Sequence, residues 1–344
     1  MIQLLMAPVL SVALGAVSVA NALIFEAVRD SAGRNILFIR DCGTGGLPQD
    51  EGRLGTSTCE EWQESFAGER TYRARSGQPY RYPGDAAVLA SHLRQTRYAE
   101  VWLFSGGGDL GEGVRMGRLF RQARVTVRVP NVVRVRGAMP WPKPENEVYC
   151  VSACTVAFMG GFFRYMDPDA TYQVHSASKV AGTIDSTVVT KLARGELREI
   201  VERECVSGRY WAVSLFTYFQ NTLLLPTSNP QRPEREDEYM AYAQRSMATL
   251  PYSADDEARD RERLSNEGLA AAQDMMMRIE RDCMRSAINE LRQRLGAREP
   301  RAEPALRMVE VMYNVSIKET ATLTRETMLR MGYLTQDLES GVRP

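Results

Sequence analysis

The feature that most constrains the fold is a short apolar strand pattern that ends in three glycines. Val101–Phe104 is apolar throughout, Ser105–Gly108 (SGGG) follows it, and Glu112–Gln122 then places apolar residues at helical spacing. Asp85–Gln95 predicts a helix before this strand, and Val125–Val129 predicts a strand after the second helix. Alternating strands and helices predict right-handed crossovers and a mainly parallel sheet. Functional residues in such sheets collect at the carboxyl ends of strands.

The same alternation extends to residue 175, and the chain beyond it is mainly helical. Asn35–Arg40 and Thr171–Val174 predict strands, Ala153–Gly161 predicts a buried helix, and Val132–Val135 predicts an extra strand. The segment around Pro140 alternates three prolines, which predicts a stiff loop that either rims the neighbouring site or is simply solvated. The helical segments predicted downstream are Thr187–Leu225, Asp255–Leu295, Glu303–Glu319 and Arg325–Gly332.

Charge and the N-terminal segment bear on partners and location. The 43 Lys and Arg residues balance 43 Asp and Glu residues, so no basic field favours nucleic acid. Residues 1–22 are apolar and end in Ala20-Asn21-Ala22, whose small side chains suit signal-peptidase cleavage after Ala22. The same run could instead remain as a membrane tether or form a buried helix. We expect an exported protein, periplasmic or otherwise outside the cytoplasm.

Six cysteines, an even number, are consistent with disulfides in an oxidising compartment, although all six could also be reduced core residues. Cys42 and Cys59 flank a glycine-rich polar stretch and make the pair most expected to bridge. Cys150 and Cys154 have a C-x3-C spacing, which is a poor zinc pattern because no second ligand pair follows it. We expect no metal and no cofactor.

Ser152 lies where a predicted strand ends and a buried helix begins. One interpretation is an ordinary helix N-cap, since a serine hydroxyl readily accepts a backbone N–H there. The other is an acyl-transfer nucleophile, which needs an accessible hydroxyl, a base and donors for the oxyanion. The Ala153 N–H at the helix start is one donor by position, and the glycines after Ser105 could turn a second N–H inward.

The base predicted for this nucleophile is His175, which ends the next strand 23 residues after Ser152. A neutral imidazole suits proton abstraction near pH 7. The chain has two histidines, and His92 lies on an amphipathic helix pattern that favours a packed or surface role.

Three segments together resemble the proteolytic subunit of Clp protease. FSGGGDLGEGVRMGRLF resembles its oxyanion loop and helix, CVSACTVAFMGG its nucleophile junction, and RYMDPDATYQVHSAS its histidine strand. The resemblance is strongest to exported Clp-protease-like proteins described as predicted periplasmic proteins. It spans about residues 35 to 178, with a weaker match at LTRETMLRMGYL.

That resemblance implies an α/β fold of the ClpP/crotonase type, a spiral of repeated βαβ units, and self-association into a homo-oligomer. It also implies Ser152 as nucleophile, His175 as general base, and the Gly107 and Ala153 backbones as oxyanion donors. The family has an aspartate near Glu319 and Thr320, and this chain has none there. Glu319 or Asp185 could orient the histidine, or the site could lack a third member.

The predicted organisation has four parts: a signal peptide or anchor at residues 1–22, a core at 23–225, a charged helical insertion at 226–300, and C-terminal helices at 301–344 that complete the core. The predicted function is a serine peptidase or hydrolase that acts on a peptide or protein substrate outside the cytoplasm.

Three other functions stay open. A Ser–Lys dyad would use Lys179 or Lys191, two of only four lysines in the chain. Acyl-CoA chemistry of the crotonase class would use the same oxyanion donors, although export argues against a cytoplasmic cofactor. A non-catalytic binding or scaffold protein would explain the absent aspartate.

Overall fold

The structure is a computed structural model of the 344-residue chain. It describes residues 23–41, 61–64, 70–73, 79–81, 84–138, 148–175, 197–223, 252–295, 302–315 and 320–335. The strands are β1 (Leu23–Arg29), β2 (Asn35–Asp41), β3 (Glu61–Glu64), β4 (Arg70–Arg73), β5 (Pro79–Arg81), β6 (Glu100–Phe104), β7 (Thr126–Val129), β8 (Tyr149–Val151), β9 (Phe163–Met166), β10 (Thr171–Val174) and β11 (Ala321–Thr322).

The first four helices of the described residues lie between β5 and β9, and the other five follow β10. They are α1 (Asp85–Gln95), α2 (Leu110–Gln122), α3 (Val132–Ala138), α4 (Ala153–Met159), α5 (Leu197–Leu223), α6 (Ala254–Glu267), α7 (Leu269–Leu295), α8 (Glu303–Asn314) and α9 (Arg325–Arg330).

The main sheet has five strands in the order β1-β2-β6-β7-β9. Its four strands from β2 to β9 run parallel, and β1 pairs with β2 as an antiparallel edge strand. Every residue of β6 is buried, as expected of a strand covered on both faces. The prediction of a mixed α/β protein with a mainly parallel sheet is confirmed.

The two faces of the main sheet pack against different partners. Leu37, Leu103 and Val127 point into the larger apolar cluster, which also contains residues of α1, α2 and α4. Phe38 and Trp102 point to the opposite face, where α3 contributes Val135. The larger apolar cluster therefore lies between one face of the sheet and helices α1, α2 and α4.

A second sheet joins β8, β10 and β11 in the order β11-β10-β8. β8 and β10 are parallel, whereas β11 pairs with β10 in the antiparallel sense. A single parallel bridge between Ser105 and Cys150 connects this sheet to the end of β6. The bridge brings the loop after β6 beside the residues that follow β8.

The long helices α5 and α7 pack along each other and carry the second apolar cluster at their amino-terminal ends. The Cys205–Cys283 disulfide joins them, and an ideal Cβ on Gly208 would lie 2.6 Å from the Glu280 carbonyl oxygen. Close backbone approach therefore depends on that glycine. Within the described part of the chain, no helix is both long and apolar enough to cross a membrane.

Two segments differ from the expectations of the sequence. The strand predicted at Val132–Val135 is wrong, since these residues begin α3. The Asn131 side chain accepts the Arg134 N–H at 2.9 Å and its carbonyl accepts the Val135 N–H at 3.1 Å, which starts a helix despite the β-branched residues. The antiparallel sheet β3-β4-β5 was not predicted.

Candidate active site

Ser152 forms a sharp turn between β8 and α4. Its backbone has φ 57° and ψ −125°, a conformation that costs a non-glycine residue about 1–3 kcal/mol. The Ser152 N–H donates to the Gln173 carbonyl at 3.1 Å, and its own carbonyl accepts the Thr155 N–H at 3.0 Å. Backbone bonds on both sides therefore hold the strained residue in place.

The Ser152 hydroxyl does not cap the helix that it precedes. Ser152 occupies the N-cap position of α4, yet its side chain accepts no capping hydrogen bond. The N-cap interpretation from the sequence is therefore wrong. A strained serine at a strand–turn–helix junction, with a partly exposed side chain, is the local geometry of a nucleophile elbow.

The glycine loop lies directly against this turn. The Ser105 N–H donates to the Tyr149 carbonyl at 3.0 Å, and the Val151 N–H donates to the Ser105 carbonyl at 2.9 Å. These bonds align the end of β6 with β8. An ideal Cβ on Gly107 would lie 2.5 Å from Ser152 Cβ and 3.0 Å from the Ala153 nitrogen. With φ at +107°, position 107 therefore requires glycine for both conformation and space.

A second close approach sets the distance between α2 and α4, the helix that follows Ser152. An ideal Cβ on Gly113 of α2 would lie 2.5 Å from the Ala153 carbonyl oxygen. Any larger residue there would push α4 away from α2 and move the turn with it. Gly107 and Gly113 of the SGGGDLGEG segment therefore both serve the packing around Ser152.

The N–H groups of the two predicted oxyanion donors, Ala153 and Gly107, differ in their hydrogen bonding. Ala153 opens α4, and its N–H belongs to the first turn, where helical N–H groups lack intrahelical acceptors. The Gly107 N–H donates to the Ser105 hydroxyl at 3.0 Å. Gly107 could therefore serve an oxyanion only by sharing or releasing that bond.

Asp41, which the sequence analysis did not select, organises the same loop. Its carboxylate accepts the Ser105 hydroxyl at 2.5 Å and the Gly106 N–H at 2.6 Å. Burial raises the pKa of Asp41 above its ordinary value, although the bonds from Gly106 and Ser105 act in the opposite direction. Burial and the Asp41 charge together raise the pKa of Tyr149. The available signal was an aspartate at the carboxyl end of a buried strand.

His175 leaves the sheet beside Ser152. The parallel register pairs Gln173 with Val151. Ser152 therefore comes just after the end of β8, and His175 just after the end of the adjoining β10. Alternation places His175 on the partly exposed side of β10 with Thr171 and Gln173, while Tyr172 and Val174 are buried. The two predicted catalytic residues therefore emerge from neighbouring strands at the same sheet edge.

On its other side β10 pairs with β11, and Thr320 immediately precedes β11. Val174 pairs with Ala321 in antiparallel register, which sets Thr320 next to this pair on the side of His175. The two acids proposed as a third member, Glu319 and Asp185, lie outside the described residues, as do Lys179 and Lys191. Thr320 itself cannot act as an acid.

The second histidine has a packing role. His92 in α1 stacks on Phe25 with a centroid distance of 5.7 Å, and its Nδ1 lies 3.2 Å from the Tyr98 hydroxyl. Burial lowers the pKa of His92. The sequence-based interpretation of His92 as a packed or surface residue is confirmed.

A disulfide brackets the candidate nucleophile. Cys150 at the centre of β8 and Cys154 in α4 are bonded, with their Cα atoms 5.3 Å apart, and Ser152 lies midway between them. Both half-cystines are buried. The C-x3-C spacing therefore produces a covalent clamp on the turn, an outcome that the sequence analysis did not anticipate. The Cys42–Cys59 pair lies outside the described residues.

No protein-family model, curated protein or solved structure matches this chain. Across the described ranges, no group of three or more His, Cys, Asp or Glu side chains is arranged to hold a metal ion. The case for a function therefore depends on the geometry around Ser152.

Proposed function

We propose that this protein is an exported serine hydrolase, and specifically a peptidase with a fold of the Clp-protease/crotonase type. The observation that carries the proposal is the strained backbone of Ser152, whose side chain makes no helix-capping bond. Strain of this kind persists where the surrounding structure enforces it, and such residues cluster at functional sites.

The proposed chemistry is acyl transfer through Ser152. The hydroxyl attacks a carbonyl carbon while His175 takes its proton, and the Ala153 N–H with an N–H of the glycine loop stabilises the oxyanion. Gly107 remains the predicted loop donor. The tetrahedral intermediate collapses to an acyl-enzyme as His175 returns the proton to the leaving amine, and water then releases the acid by the same steps.

Location outside the cytoplasm is supported by the cysteines. The four cysteines of the described residues form two disulfides, Cys150–Cys154 and Cys205–Cys283, and disulfides persist mainly in oxidising compartments. The apolar residues 1–22, proposed as a signal peptide or tether, lie outside the described residues.

A non-catalytic binding or scaffold protein of the same fold is the second candidate. It is favoured by one observation: the register pairs Val174 with Ala321, which sets Thr320 next to this pair on the side of His175, and a threonine cannot orient an imidazole as a carboxylate does. The bond from the Gly107 N–H to Ser105 is also compatible with a site that binds no oxyanion.

The two candidates are separated by reaction with a fluorophosphonate probe, followed by peptide mass spectrometry. The hydrolase proposal predicts a single adduct on Ser152, no adduct in Ser152→Ala, and at least about 100-fold slower labelling in His175→Gln. Ser253→Ala, which removes a serine on the exposed cap of α6, is the matched control and should label at the wild-type rate. A folded wild-type protein that never reacts would favour the binding protein.

A further inference from the structure

Asp41 connects the end of β2 to the loop that faces Ser152. β2 and β6 pair in parallel with Arg40 opposite Phe104, so Asp41 and Ser105 leave the same sheet edge side by side. The two residues are 64 positions apart in sequence. The loop after β6 is therefore anchored to a strand on the side away from β8.

Both oxygens of the Asp41 carboxylate are engaged with the loop. Oδ1 accepts the Ser105 hydroxyl at 2.5 Å, and Oδ2 accepts the Gly106 N–H at 2.6 Å. Hydrogen bonds to an ionised acceptor are short and roughly twice as strong as neutral ones. Tyr149 also lies beside this part of the loop, since its Cε2 would be 3.8 Å from an ideal Cβ on Gly106. The carboxylate therefore fixes the first peptide of the glycine loop in one orientation.

The Ser105 hydroxyl also fixes the next peptide of the loop, the one that carries the Gly107 N–H. Because it donates to Asp41, its lone pairs are directed to accept, and the Gly107 N–H donates to it at 3.0 Å. Gly107 lies directly against the turn, since an ideal Cβ there would be 2.5 Å from Ser152 Cβ and 3.0 Å from the Ala153 nitrogen. A chain of two hydrogen bonds thus runs from the Asp41 carboxylate to the glycine that lies against the nucleophile.

We propose that Asp41 is a positioning residue that acts through Ser105 to hold the glycine loop in register with Ser152. This inference rests on the proposed function, because the loop is where the oxyanion would bind. Asparagine at position 41 could accept only one of the two bonds and would present an NH2 group to the other donor. A misplacement of about 1 Å in such a site can cost about 100-fold in rate.

The test uses Asp41→Asn, Ser105→Ala and the double variant in the full chain. The substrate is a p-nitrophenyl ester, with kcat and KM measured separately. Asp41→Asn and Ser105→Ala are each expected to lower kcat about 10- to 100-fold at nearly constant KM. The double variant should lose no more than the worse single variant, because both break one chain of bonds. Asp30→Asn is the matched control, since Asp30 is likewise an aspartate that holds a loop, accepting the Ala32 and Arg34 N–H groups in the exposed turn after β1.

Three kinetic outcomes would overturn the assignment. An unchanged kcat in Asp41→Asn would show that the carboxylate does not position the loop. Additive losses in the double variant would show that the two residues act separately. Faster turnover in Ser105→Ala would show that the hydroxyl withholds the Gly107 N–H from the substrate instead of positioning the loop.

Amide hydrogen exchange separates this inference from the proposed function. Asp41→Asn should raise exchange at Gly106 and Gly107, with the rates in α7 unchanged, whether or not the protein is an enzyme. If the wild type hydrolyses no ester, the proposed function fails, and unchanged exchange at both glycines would then overturn the role of Asp41 as well. Raised exchange without activity would keep Asp41 as the anchor of the loop.

Discussion

Gly107→Ala is the substitution that most sharply probes the packing of the glycine loop against Ser152. The new methyl group would lie 2.5 Å from Ser152 Cβ, 2.8 Å from the Val151 carbonyl oxygen and 3.0 Å from the Ala153 nitrogen. Two of these three atoms belong to the backbone, so a rotamer change cannot relieve the overlap. The loop and the turn must move apart.

The loss of stability expected for Gly107→Ala has two parts, one from backbone conformation and one from steric overlap. An L-residue at a φ of +107° costs about 1–2 kcal/mol relative to glycine. Overpacking against atoms that cannot move freely adds about 1–3 kcal/mol. We therefore expect Gly107→Ala to lower the free energy of unfolding by about 2–5 kcal/mol, and to slow fluorophosphonate labelling of Ser152 at least about 100-fold.

Gly33→Ala separates the two parts. Gly33 also has a positive φ, +74°, but an ideal Cβ there meets nothing within 4 Å. This variant should lose only the conformational part, about 1–2 kcal/mol, and should label at the wild-type rate. Chemical denaturation and labelling time courses give both quantities. A Gly107→Ala protein as stable and as reactive as Gly33→Ala would refute the close approach of the loop to Ser152.

Further predictions concern the two disulfides and one carboxylate. Replacing the Cys150–Cys154 pair with alanines opens a ring of only five residues, so stability should fall by about 2 kcal/mol while Ser152 labelling slows markedly. Replacing the Cys205–Cys283 pair, 78 residues apart, should cost about 4.5 kcal/mol in denaturant titrations and leave the labelling rate of the folded protein unchanged. Bonds from the Ser253 N–H and hydroxyl lower the pKa of Asp256 to about 2, so its stabilising contribution is complete above about pH 4 and is lost as the pH falls toward 2. Acid titration of unfolding should show that loss in the wild type and not in Asp256→Asn; equal curves would contradict it.

Much of the fold follows from local pattern. Asp85–Gln95 and Thr171–Val174 were predicted with the bounds that the structure gives, because one has a helical apolar face and the other alternates between a buried and a partly exposed side. Val132–Val135 was wrong because an asparagine cap outweighed β propensity. The strands β3 to β5 carry many polar residues and gave no buried-strand signal.

The parts of the site that were missed depend on contacts distant in sequence. Asp41 acquires its role only when the parallel register of β2 and β6 brings Ser105 and Gly106 beside it. The disulfide between Cys205 and Cys283 forms only when α5 and α7 pack together, and no local sequence pattern predicts that packing. By contrast, Ser152 could be selected from its place between a strand and a helix, although the sequence alone could not decide whether its hydroxyl caps that helix.

A crystal structure of the protein after reaction with a fluorophosphonate tests the central claim most directly. The account predicts a covalent bond from Ser152 Oγ to phosphorus, a phosphoryl oxygen about 3 Å from the Ala153 nitrogen and from a nitrogen of the glycine loop, and the His175 ring beside Oγ. Phosphorus on another residue, or a phosphoryl oxygen that points to solvent with His175 turned away, would contradict it.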